Sequence, residues 1–129
     1  LAVKDLPVAW NDKIHTYLGI TPPDDVQGVL QDVHWGSGLI GHFSTYALGN
    51  ILSSLWWERM LQDIPDPDSL LARGEVAPIL EWLTRHIHQT GRTYRPPELV
   101  QLLTGGPIRT GPYLAYLRRK FGEIYRLEG

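Results

Sequence analysis

Apolar side chains recur every three or four residues along almost all of this 129-residue chain, and proline or glycine separates one such run from the next. That spacing gathers apolar groups on one face of a helix, whereas a half-buried strand needs alternation with period two. No stretch alternates over a strand's length, so the reading is all-α, a single helical domain over residues 1–129 without repeats or low-complexity linkers. The first helix is predicted from about Pro7 to Leu18, with Val8, Ile14 and Leu18 apolar and Gly19 as C-cap. After the break Pro22-Pro23-Asp24-Asp25, where Asp24 or Asp25 can cap, a short helix is expected to carry Val26, Val29, Leu30 and Val33 on one face. Gly36-Ser37-Gly38 then makes a turn.

The run from Phe43 to Ile64 is apolar over most of its circumference and predicts a helix with neighbours on several sides, ended by Pro65 and Pro67. Asp68 is expected to cap a short helix through Leu71, closed by Gly74. Val76, Ile79, Leu80, Leu83 and Ile87 define an amphipathic helix ended at Gly91, and Glu98–Leu103 another before the turn Gly105-Gly106-Pro107. A last helix, from about Pro112, is expected to bury Leu114, Leu117, Phe121 and Ile124 or Tyr125.

Several function classes drop out. Net charge is -2, with no run of five like charges, and the densest basic cluster, Arg118-Arg119-Lys120, reads as the solvated end of a helix. Nucleic acid is therefore not an expected partner. Absence of cysteine removes disulfides and thiol nucleophiles and suits a reducing cytoplasm. Glu58, Arg59 and Asp63 interrupt the most apolar run, which excludes a transmembrane span there. The start, Leu1-Ala2-Val3-Lys4-Asp5, has no secretory pattern and no methionine, as expected of a processed or internal segment.

Residues 28–35 read Gly-Val-Leu-Gln-Asp-Val-His-Trp. On their own chemistry, Gln31, Asp32 and His34 form a dense polar group beside an apolar face. Asp32 can hold an imidazole tautomer and Gln31 can cap a loop, so a structural network and a functional site are both open. Trp35 is assigned to packing by its bulk, as are Trp56 and Trp57. His86 and His88, two apart on a helix, point to opposite sides and cannot share one ion.

The octapeptide resembles the G-x-x-Q-D-x-H-W signature of the carboxypeptidase Taq family of metallocarboxypeptidases at every fixed position. The flanks fit as well. Asp5–Asn11 and Tyr17–Pro23 lead into it, Gly41–Asn50 resembles the family's G-Y-F-P-T-Y-x-L-G-N, and Leu71–Glu75, His86-Ile87-His88, Gly91-Arg92 and Tyr94 follow in order. The resemblance implies a cytoplasmic, all-helical hydrolase that removes residues from peptide C-termini. It further implies an H-E-x-x-H helix, in which two histidines bind a divalent metal (zinc, cobalt or manganese) and the glutamate is general base. None of His15, His34, His42, His86 and His88 is followed by Glu. The chain thus corresponds to the last quarter of such an enzyme, has no metal ligands of its own and is expected to be inactive alone.

By analogy with H-E-x-x-H peptidases, His34 and Tyr46 are the expected contacts to substrate or transition state, and Gln31, Asp32 and His42 the substrate-binding or supporting residues. Two positions depart from the family pattern: His42 stands for tyrosine and Ser44 for proline. Serine can cap a helix where proline would begin it, and histidine brings a different reach and a charge near pH 6.5. The partners implied are the peptide substrate and the remainder of the peptidase. A rival reading is an independent helical module that binds that remainder or forms a homodimer, motivated by the apolar breadth of the Phe43–Ile64 run.

Overall fold

The computed structural model describes residues 1–127, and among them there are helices, turns and loops but no strands. Six α-helices follow in order: α1 Leu6–Leu18, α2 Ser44–Asp63, α3 Pro67–Ala72, α4 Ala77–His86, α5 Pro96–Thr104 and α6 Gly111–Tyr125. The all-α expectation therefore holds. The chain divides into two compact units, Leu1–Thr45 and the residues from Tyr46 onward.

In the first unit, Pro7 opens α1 and Gly19, at φ 70°, closes it with its amide on the His15 carbonyl. The helix expected over Val26–Val33 does not form. Asp24 Oδ1 accepts from the Gln27 amide at 2.8 Å, and the chain turns into one 3₁₀ turn at Val29–Gln31 and another at Trp35–Ser37. Only Val29 of the four predicted apolar residues is buried, while Val26, Leu30 and Val33 are exposed. The physical reason lies in the Asx turn: a side-chain acceptor takes the backbone donor and offers the chain an alternative to a helix. Trp10 of α1 meets Trp35 edge to face, with centroids 6.0 Å apart, which fits the packing role given to Trp35.

In the second unit, Met60, Ile79 and Trp82 form a core, with Trp56, Trp57, Ile64, Leu83 and Ile87 packed against it. The tryptophan pair is thus core packing. On α4 the buried face runs through Ile79 and Trp82, whereas Val76 and Leu80 are exposed. The spacing was right, but Trp82, not Leu80, occupies the inner position. Asp66 caps α3, accepting from the Ser69 amide, and not Asp68. Pro67 has no amide hydrogen and takes the first helical position, which leaves the preceding residue as cap. Burial of the last helix fails more completely. No residue of α6 is buried, and Leu114, Phe121, Ile124 and Tyr125 are exposed. Periodicity identifies the apolar face of a helix but not what covers it.

Candidate functional site

The signature octapeptide sits entirely on the irregular segment between α1 and α2. Its first residue, Gly28, is buried, and a Cβ there would lie 3.0 Å from the Asp24 carbonyl oxygen, 3.2 Å from Pro22 Cβ and 3.4 Å from Asn11 Oδ1. A side chain at this position would push the turn off α1. Glycine suits the position because one backbone carbonyl and two side chains approach it more closely than a Cβ ordinarily allows.

Gln31 Nε2 donates to the Val26 carbonyl at 2.6 Å. The amide therefore fastens the turn to itself, which is the loop-capping alternative, through a backbone carbonyl. Asp32 does hold the imidazole. Its Oδ1 accepts from His34 Nδ1 at 2.8 Å and from the His34 amide at 3.1 Å. A carboxylate can only accept, so Nδ1 carries the proton. Nε2 is then the ring's other polar atom, an acceptor when His34 is neutral and a donor when it is protonated. Both side chains are largely shielded, Asp32 at 9% and His34 at 15% exposure.

His34 is also held from the other end of the segment. The His42 ring lies 5.3 Å from it, tilted by 45°, and Phe43 meets it edge-on at 5.3 Å and 80°. The sequence pattern places Phe43 as the first apolar residue of a helix. Because α2 begins at Ser44, Phe43 lies outside the helix and serves as a wall for the histidine. Ser44 as a helix start was the signal that could have revealed it. Ser44 itself does not cap α2 by accepting; its hydroxyl donates to the Gly41 carbonyl at 2.9 Å. Thr45 Oγ1 donates in the same way to the His42 carbonyl at 2.7 Å. Ser44 thus starts α2 and ties it to the glycine turn. Tyr46 lies in the first turn of α2, in the second unit, with 60% of its surface exposed.

A second polar cluster closes the core of the other unit. Trp82 Nε1 donates to Asp63 Oδ2 at 2.8 Å, Arg59 pairs with Asp63 at 2.8 Å, and His86 stacks on the Trp82 ring at 4.5 Å. The indole donor, then Arg59, hold the Asp63 carboxyl below its usual range. His86 Nδ1 lies 3.0 Å from the Trp82 carbonyl, and His88 is an exposed residue of the following 3₁₀ turn.

The chemistry of the first cluster is that of a positioned proton donor or acceptor. It is not that of a metal centre: among the described residues no group of three or more His, Asp or Glu side chains is arranged to hold an ion. A resident divalent metal therefore does not fit these residues. Among the described residues, too, no helix is long and apolar enough to cross a membrane.

The family model described as carboxypeptidase Taq (M32) metallopeptidase matches residues 1–121. Carboxypeptidase 1 of Bacillus subtilis (strain 168) is 42% identical over 127 residues, which is 98% of this chain and 25% of that protein. Thermostable carboxypeptidase 1 of Thermus thermophilus is 40% identical over 97% of this chain and 24% of its own length. Among solved structures, the carboxypeptidase of this family from Deinococcus radiodurans R1 superposes with a TM-score of 0.89 at 40% identity, covering 98% of this chain and 26% of that one. Metallocarboxypeptidase 1 of Trypanosoma cruzi gives 0.86 at 29% identity, over 94% and 26%. The chain spans about a quarter of the length of these relatives, and over that span it belongs to the carboxypeptidase Taq family of metallopeptidases.

Proposed function

We propose that this chain is the substrate-side part of a metal-dependent carboxypeptidase that removes C-terminal residues from peptides, working in the cytoplasm, and that it does not hydrolyse peptides by itself. The observation that carries the reading is the Asp32–His34 pair at 2.8 Å, held on a glycine-fixed turn and walled by Phe43. A carboxylate that fixes the tautomer of a shielded imidazole is a familiar way to aim one nitrogen at a reacting group. In this reading Nε2 of His34 meets the substrate, and the Tyr46 hydroxyl donates to the oxyanion of the tetrahedral intermediate. Asp32 orients His34, Gln31 fixes the turn beneath it, and His42 borders the peptide. A divalent metal (zinc, cobalt or manganese) would be held by an H-E-x-x-H helix outside this chain and would supply Lewis-acid activation of water.

A hybrid of the Bacillus subtilis enzyme with this chain in place of its matching quarter tests the assignment. His34→Ala should lower kcat/KM on blocked dipeptides by about 10²–10³-fold, the loss typical of one transition-state hydrogen bond. Metal content should not change. Asp32→Asn should retain the bond but lose the tautomer preference, with an intermediate loss. The isolated chain should release nothing with added zinc, cobalt or manganese. Full activity of the His34→Ala hybrid, or His34-dependent turnover by the isolated chain, refutes the reading.

A further inference from the structure

We propose that His42 selects peptides with an acidic side chain next to the scissile bond, through the positive charge that its imidazole takes up below neutral pH. This rests on the functional reading above, in which His34 is aimed at the reacting group and His42 borders the peptide, and it names the substrates that this border favours.

His42 is an exposed residue of the loop that leads into α2, yet its backbone is held from both sides. Its amide donates to the Leu39 carbonyl at 3.1 Å, and its own carbonyl accepts from the Thr45 amide at 3.0 Å and from Thr45 Oγ1 at 2.7 Å. The ring anchored in this way lies 5.3 Å from the His34 ring. Successive residues of an extended peptide are about 3.4 Å apart, so the side chain beside the group that His34 faces comes within reach of His42. From Val29 to Thr45 the ionisable side chains are Asp32, His34 and His42. Helix α1 reaches this segment through Trp10 and Asn11, which are neutral. Asp32 is shielded, at 9% exposure, and its Oδ1 already takes the His34 amide and Nδ1. Of the three, His42 is therefore the charge that a peptide lying over His34 meets. An imidazole changes charge between about pH 5 and 8, whereas the tyrosine of the family pattern carries none in that range. Attraction between unit charges about 5 Å apart is worth about 4-fold in water and about 17-fold at an effective dielectric of about 40.

The hybrid with the Bacillus subtilis enzyme tests this on blocked dipeptides that carry Glu or Gln, either as the released residue or as the one before it. The Glu:Gln ratio of kcat/KM is read at about pH 6 and about pH 8, and any change common to both substrates cancels in it. At one of the two positions the ratio should be about tenfold higher at the lower pH. His42→Phe should make it equal at both pH values, and His42→Lys should keep the acidic preference at the higher one. A pH-independent ratio at both positions overturns the proposal, as does a pH-dependent ratio that survives His42→Phe. Those results in a hybrid that His34→Ala impairs leave the catalytic assignment standing, whereas a hybrid indifferent to His34→Ala overturns both. If the hybrid has no turnover, an intact relative with tyrosine at the matching position decides. Replacing that tyrosine by histidine should confer the pH-dependent ratio, and an unchanged ratio overturns the proposal.

Discussion

Gly28→Ala is the smallest change that should damage the signature loop, and its effect follows from three distances. The added Cβ would meet the Asp24 carbonyl oxygen at 3.0 Å, Pro22 Cβ at 3.2 Å and Asn11 Oδ1 at 3.4 Å. Ordinary contact needs about 3.5 Å or more, so turn and helix must part by a few tenths of an ångström at once. Two of these neighbours belong to the turn, which the Asp24–Gln27 bond fixes, and the third belongs to α1. Overpacking of this kind costs about 1–3 kcal/mol. The first unit has little to oppose that loss, for its buried residues are Gly28 and Val29 alone. With a urea dependence of about 1 kcal/mol per molar for so small a unit, the midpoint should fall by about 1–3 M. The indole N–H signals of Trp10 and Trp35 report this unit separately from the tryptophans of the other. Gly36→Ala is the matched control, since nothing lies within 4 Å of its Cβ position and its φ is not positive. Equal midpoints for the two variants would refute the argument from close approach.

Two further predictions concern the second unit. Leu55, fully buried, should cost about 2–5 kcal/mol when cut to alanine, while Leu61, 47% exposed, should cost less than about 1 kcal/mol; chemical denaturation of both variants checks the ranking. Asp63 is held below its ordinary value of 3.8, first by the Trp82 indole and then by Arg59. A depressed carboxyl contributes stability that is complete above the unfolded value and disappears as pH falls through the folded one. The second unit should therefore weaken below about pH 3.8, and Trp82→Phe should bring the Asp63 midpoint, followed by carbon NMR, back toward 3.8. An unchanged midpoint in that variant would show that the indole bond does not set it.

What could be read from residues alone was what neighbours in sequence decide. Gly19 ends α1 because only the left-handed region closes that turn, and the Asp32–His34 pair is two residues apart, so both were legible. The Val26–Val33 segment misled because a helical spacing of valines is weaker than one aspartate oxygen on the Gln27 amide with Pro22-Pro23 just before it. The wall that Phe43 makes for His34 was not legible, since the contact joins the two ends of a loop whose path the local pattern does not fix. Tyr46 shows the same limit from the other side. Its place on α2 was predictable, yet the reaction assigned to it depends on where another body of the fold brings a substrate carbonyl. The α6 stripe shows the limit most plainly: an apolar period identifies which face of a helix is apolar, and the exposure of Leu114, Phe121, Ile124 and Tyr125 shows that it does not decide what covers that face.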